Sequence, residues 1–262
     1  MSKKIAGGSD AIVLDVTYGK GAFMKSISEA RKLAQAMINI GKIADKPVIC
    51  VLTPMNQPLG YSIGNVLEIK EAWQTICGNG PKDLLDTCLL LTSCMAYLYE
   101  ENSGVDSRSF DLSRYEGKIL ETIESGKAAR CFQKFIKSQG GLLDDEGNPV
   151  YSSEPVEVDT VYADHSGYIT ELDALLLGEA SMILGAGRYN KSDSIDAGAG
   201  IVLEKKVGDP IQKGDAIFRL YRGAESSSSE EKVSKAKEKC RWSFTISDNP
   251  NSLLKNDVEL LF

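Results

Sequence analysis

A strand, a helix and a second strand follow one another within residues 11–52, and this order constrains the fold of the 262-residue chain more than any other feature. Residues 11–16 (Ala-Ile-Val-Leu-Asp-Val) form a short run rich in β-branched side chains, bounded by Gly7-Gly8 and Gly19-Lys-Gly21, as expected of a buried strand that ends in a glycine loop. From Ser28, with Glu29 behind it, Ala30, Leu33, Ala34, Met37 and Ile38 recur at helical spacing, and Gly41 is the expected C-cap. Residues 47–52 (Pro-Val-Ile-Cys-Val-Leu) then form a second apolar run. Two strands joined through a helix pair in parallel, with a right-handed crossover, so the first part reads as α/β.

A turn-rich loop, residues 53–60, leads into a predicted helix carrying Val66, Leu67, Ile69, Ala72, Trp73 and Ile76, stopped at Gly78. A further helix is expected over about 82–101, with Leu84, Leu85, Cys88, Leu91, Met95 and Leu98 facing inward, then two more near 115–125 and 127–138. Gly140-Gly141 and the acidic turn 144–149 mark a boundary. Beyond it, short alternating segments at 156–161, 167–172, 200–203 and 216–221 predict a compact β-rich module. Residues 226–239 read as a solvated helix opened by serines, and Trp242 and Phe244 suggest one last strand in the tail 241–262. The expected fold class is therefore α/β, a partial parallel sheet with packed helices over 1–150, followed by a small β-rich module of barrel-sandwich type with a tail over 151–262.

Bulk properties exclude several function classes. A net charge of −7 and no concentrated basic face argue against nucleic acid as a partner. No run reaches the ~18 apolar residues of a membrane span, and no apolar segment follows the basic start as in a signal peptide, so a cytoplasmic protein is expected. The six cysteines form no CxxC pair and His165 is the one imidazole, a poor set for zinc; Cys50 and Cys88 sit in apolar runs and read as buried, reduced thiols.

Three local patterns carry possible chemistry. Gly19-Lys-Gly21 follows a strand but lacks both dinucleotide and P-loop spacing, and reads as a tight turn. Residues 57–71 place a loop with free carbonyls before a helix bearing Glu68 and Glu71; carbonyl, hydroxyl and carboxylate oxygens suit hard cations such as sodium, potassium or calcium, while the plain alternative is a pair of exposed helix glutamates. Residues 207–215 have the turn-and-strand pattern of biotinyl or lipoyl carriers without the exposed tip lysine, and read as a structural hairpin.

Met1-Ser-Lys-Lys-Ile-Ala, Asp10-Ala-Ile-Val-Leu-Asp-Val, Gly19-x-Gly21-Ala-Phe-Met24, Gln57-Pro-Leu-Gly60, Gly64-Asn65 with Glu68 and Glu71, and Leu184-Gly-Ala-Gly-Arg188 together resemble the later part of pyrimidine-nucleoside phosphorylases, the thymidine phosphorylase family, in order and spacing. The resemblance implies a pentosyltransferase that cleaves thymidine or uridine with inorganic phosphate as co-substrate, giving free base and pentose 1-phosphate, in a cytoplasmic homodimer. Carried over by position, it implies that Lys3 binds the pyrimidine carbonyl, and that Leu59, Ser62 and Glu71 are protein ligands of a monovalent cation, expected to be potassium.

The family's phosphate loop, catalytic histidine and remaining cation ligands have no counterparts in this sequence, so catalytic residues are not assigned. The resemblance implies a truncated form, inactive alone and with a weakened cation site, or a non-catalytic subunit that pairs with a separate N-terminal chain. It further implies that the β-rich module closes over the active-site side of the α/β part.

Overall fold

The computed structural model describes residues 1–102, 111–226, 229–249 and 257–262. A short helix α1 (Ser2–Ala6) leads into β1 (Ile12–Tyr18), α2 (Ile27–Ile43) and β2 (Val48–Pro54). The two strands pair in parallel, from Ile12 opposite Val48 to Tyr18 opposite Pro54, as their order requires. Successive side chains of β2 leave opposite faces. Val48, Cys50 and Leu52 pack with Ala30, Ala34 and Ile38 of α2, whereas Ile49 and Val51 pack with Cys94 and Leu98 of α4 (Lys82–Asn102). Burial on both faces explains why β2 is an unbroken apolar run, not an alternating one.

Two helical expectations are corrected. The first helix starts earlier, where Ser26 forms a capping box with Glu29, and Gly41 lies buried inside it instead of capping it. The helix ends at Ala44, after which Asp45 takes a positive φ of 53° ahead of Pro47. On α4, Leu98 faces inward as expected, but Cys88 and Met95 are exposed; Ser93 and Cys94 are buried in their place. A regular 3.6-residue period points the face, yet a 21-residue helix that crosses only the end of a small sheet need not bury one stripe along its whole length.

Helices α3 (Asn65–Ile76), α5 (Ser113–Glu124) and α6 (Lys127–Ser138) follow the expected spans closely. Trp73 of α3 stacks on Phe132 of α6 with ring centroids 5.9 Å apart. After the turn at 144–149, strands β4 (Pro155–Tyr162), β5 (Gly167–Leu172), β6 (Gly200–Leu203), β7 (Pro210–Ile211), β8 (Ala216–Gly223) and β9 (Phe244–Ser247) build the β-rich module. Its antiparallel sheets have the orders β3-β6-β8-β4, where β3 is Ser62–Ile63, and β7-β5-β9, and its core centres on Ile169, Leu172, Ile201, Ile217, Phe218 and Leu220.

The module is more helical than the alternation suggested. Helix α7 (Ala174–Ser181) runs on to a kink at Gly185, whose φ is 122°, and packs against α8 (Glu230–Trp242). The serine-led stretch does open a helix, capped by Ser229, but α8 is not wholly solvated, because Ala236 and Cys240 are fully buried. Residues 227–228 of that stretch and 250–256 of the tail lie outside the described residues.

Two backbone seams join the parts. Strand β3 (Ser62–Ile63), which lies in the α/β segment of the sequence, pairs with β6 of the module, and a final strand β10 (Glu259–Leu261) returns to pair antiparallel with β2. Arg31 of α2 clamps that return with a bidentate contact to Glu259, and the Tyr18 hydroxyl donates to the Asp257 carbonyl at 2.6 Å. One strand of the α/β segment therefore lies in the same sheet as β6, β8 and β4 of the module. Among the described residues no helix is long and apolar enough to cross a membrane.

Candidate functional site

Ligand sites in parallel α/β sheets lie beyond the carboxyl ends of the strands, and the loops after β1 and β2 meet there. Met55 N–H donates to the Tyr18 carbonyl at 2.6 Å, and Gly21 N–H to the Met55 carbonyl at 2.9 Å. The module reaches the same loop: Ala174 N–H donates to the Asn56 carbonyl at 3.0 Å, and Val207 N–H to Gln57 Oε1 at 3.1 Å. Lys20 adds an ion pair to Glu171 and a longer contact to Asp173 at 3.6 Å. The loop from residue 55 to 60 is thus held from both sides.

The tight-turn reading of Gly19-Lys-Gly21 stands. The amide of Gly19 donates to the Met24 carbonyl at 2.9 Å, that of Lys20 to Asn56 Oδ1 at 3.2 Å and that of Gly21 to Met55. A phosphate cradle needs such amides directed at the anion, and these are spent on the protein.

Leu59, Ser62 and Glu71, far apart in chemistry and within thirteen positions in sequence, line one cavity of about 410 Å³ together with Glu68. The plain reading of two exposed glutamates holds for one of them only. Glu68 is exposed and caps its own helix by accepting from Gly64 N–H at 2.9 Å. Glu71 is 7% exposed, and its carboxylate accepts from the amides of Tyr61 at 2.9 Å and Ser62 at 3.4 Å. These bonds fix the carboxylate against the loop that carries Leu59 and Ser62. Ser62, Glu68 and Glu71 bring side-chain oxygens to a lining otherwise made largely of apolar residues such as Met55, Ile63 and Leu84, and oxygen is the donor type that suits a hard cation. Burial first, then the charges of Asp209, Asp83 and Glu71, push the pKa of the neighbouring Tyr61 phenol up.

Lys206 reaches the far side of this loop from the module. It is 8% exposed, and its ammonium donates to the carbonyls of Pro58 at 2.9 Å and Gly60 at 2.8 Å and to the Asp83 carboxylate. The Tyr61 ring lies 5.1 Å from Nζ. Nothing in the local sequence marks this lysine, which follows another lysine after a short strand; its partners lie more than a hundred residues away.

Lys3 is exposed on α1 and is not among the residues lining the oxygen cavity. Of the sequence-derived set, three members are gathered and the fourth stands apart.

Residues 1–129 match the family described as "Glycosyl transferase family, a/b domain", and residues 168–246 match the "Pyrimidine nucleoside phosphorylase C-terminal domain". The chain is 40% identical over 253 residues to a pyrimidine-nucleoside phosphorylase of Geobacillus stearothermophilus, covering 95% of this chain and 55% of that protein. It is 44% identical over 224 residues to one from Staphylococcus epidermidis, covering 84% and 49%, and 42% identical over 229 residues to one from Bacillus subtilis, covering 86% and 51%. The chain spans about half the length of the curated relatives it matches. Two successive family matches in the expected order, with this identity across both, show that the chain belongs to the pyrimidine-nucleoside phosphorylase family.

Proposed function

We propose that this chain supplies the base-facing and cation-facing side of a site for phosphorolysis of pyrimidine nucleosides. The observation that carries the reading is the gathering of Leu59, Ser62 and Glu71 on one cavity at the strand ends, with the Glu71 carboxylate buried against the loop. The relatives' name, pyrimidine-nucleoside phosphorylase, supplies the reaction.

In that reaction a phosphate oxygen bonds to C1′ of the sugar while the bond from C1′ to the pyrimidine nitrogen breaks, and the bonding pair leaves with the base. Lys3 is assigned to the leaving side, where its ammonium hydrogen-bonds a pyrimidine carbonyl and stabilises the charge that develops there. The Leu59 carbonyl, Ser62 and the Glu71 carboxylate would hold a monovalent cation, with potassium as the first candidate. Such an ion, when bound, supplies a fixed positive charge that organises the loop beside the substrates. Glu71 is already oriented for this by two amides, so little reorganisation accompanies binding. Turnover further requires a phosphate-holding part, in the same polypeptide or in a partner chain.

The cation assignment is tested by thermal melting of the purified chain in potassium chloride against choline chloride at equal ionic strength. A ligand that binds only the folded state raises the melting temperature. Potassium is expected to raise it, and Glu71→Gln is expected to remove the increment; an equal increment in the variant would show that the ion acts elsewhere.

A further inference from the structure

The cavity that holds Glu71 and the ammonium of Lys206 both meet the loop at residues 58–62, and the loop is too short for the two to be independent. Lys206 meets two main-chain carbonyls, a carboxylate and an aromatic face, the surroundings a free cation would seek, but its charge is covalently tethered to the β-rich module. Its own position is fixed, since its backbone amide donates to Asp209 Oδ2 at 2.8 Å within the turn after β6. The two carbonyls it holds are those of Pro58 and Gly60, on either side of Leu59. Asp83, the carboxylate it neutralises, also accepts from Gly60 N–H at 3.2 Å. From Gly60 the chain passes directly to Tyr61 and Ser62, whose amides orient Glu71.

We propose that Lys206 is a positioning residue that sets the geometry of the oxygen site, so that cation binding by Leu59, Ser62 and Glu71 depends on a charge supplied by the β-rich module. The proposal rests on the cation reading given above for its consequence, but not for its structural premise. Removing the ammonium takes one donor from the part-exposed Asp83 carboxylate and leaves the carbonyls of the buried residues Pro58 and Gly60 without theirs, and those carbonyls recover partners by turning the loop towards water. That movement carries the Leu59 carbonyl and the amides behind Glu71 away from one another. The site loses affinity although none of its own oxygens has been changed.

Two measurements on the full chain separate the structural premise from the cation reading. Hydrogen exchange compares wild type with Lys206→Met, which keeps the length of the side chain but removes its charge. The amides of Gly60, Tyr61 and Ser62 are expected to lose protection by about tenfold, the loss of a charged hydrogen bond, while those of β2 opposite β1 do not change. Potassium chloride titration of the melting temperature, with ionic strength held by choline chloride, then compares affinities. Lys206→Met is expected to weaken the potassium midpoint by about tenfold, and Lys206→Ala to recover part of that loss when propylammonium, too large for the oxygen site, is added.

Unchanged exchange at residues 60–62 in Lys206→Met overturns the proposal, as does a potassium midpoint equal to that of wild type. If wild type itself shows no potassium effect, the cation reading fails. The exchange result then decides whether Lys206 positions the loop: tenfold faster exchange confined to residues 60–62 supports it, and exchange that rises equally throughout the chain overturns it.

Discussion

A β-carbon on Gly60 would lie 2.2 Å from Oε2 of Glu71. Gly60 also has a φ of +69°, so the loop turns towards the carboxylate through a conformation that other residues adopt only under strain. The missing side chain at one position is what lets the buried carboxylate sit against the backbone at the other. Gly60→Ala is therefore expected to destabilise the chain by about 1–3 kcal/mol and to abolish any potassium-dependent stabilisation, because the loop and Glu71 must separate. Thermal melting with and without potassium checks both effects; an alanine variant that melts like wild type would show that the loop relaxes freely.

Gly41 gives the opposite of the usual helix rule. Replacing a helix-interior glycine by alanine ordinarily stabilises by about 0.5–1 kcal/mol. Here the new carbon would come within 2.2 Å of Val48 Cγ2 and 2.8 Å of the Lys46 carbonyl, at the crossing of α2 and β2. Gly41→Ala is expected to destabilise by about 1–3 kcal/mol, and Val48→Ala in the same chain to recover part of the difference. Denaturant unfolding of the two singles and the double measures the coupling.

The cysteines divide by accessibility. Burial pushes the thiols of Cys50 and Cys94 up to about 11 and that of Cys240 to about 12; Cys77, Cys88 and Cys131 are exposed, although partial burial raises Cys77 and Cys88 as well. Thiolate is the reactive form, so iodoacetamide at about pH 8 is expected to label only the exposed group in the folded chain and every cysteine after unfolding. Intact mass counts the adducts, and early labelling of Cys240 would show that α8 leaves the module.

Acid should loosen the contact between α4 and α5. Glu100 accepts from the Tyr115 hydroxyl at 2.9 Å and lies near Arg114 and Lys118; the tyrosine bond first, then these charges, hold its pKa below the ordinary glutamate range. A carboxylate with a lowered folded-state pKa contributes stability that is complete above its unfolded value, about 4.3, and is lost as the pH falls through the folded value. The stability gap between wild type and Glu100→Gln is expected to be constant at neutral pH and to close below about pH 4. A gap that does not change with pH would mean that the tyrosine bond is made equally well by the neutral acid.

The sequence was informative where short-range periodicity decides structure. Strands β1 and β2 and the order of the helices were legible from 11–16, 47–52 and the capping and apolar spacings; β2, buried on both faces, leaves a continuous apolar run, and β1 a β-branched run interrupted at Asp15. Three of the four assigned site residues lay within one loop and helix, so their meeting followed from local geometry. Long-range features were not legible. The pairing of β10 with β2 joins residues about two hundred positions apart, and Lys206 finds Pro58 and Gly60 across a comparable separation, which no local pattern encodes. The helix 174–181 was hidden because Leu175, Leu176 and Leu177 form an apolar run without a clear period, within a segment otherwise read as strands.

The central claim is tested most directly by following base release from thymidine and uridine, with and without phosphate and potassium. The assay uses this 262-residue chain alone and mixed with the portion of the Bacillus subtilis relative that it does not cover. The account predicts silence from the chain alone, and phosphate-dependent release of the pyrimidine base, favoured by potassium over choline, from the mixture. Release by the chain alone, release that needs no phosphate, or silence from a mixture whose two parts elute as one complex would contradict it.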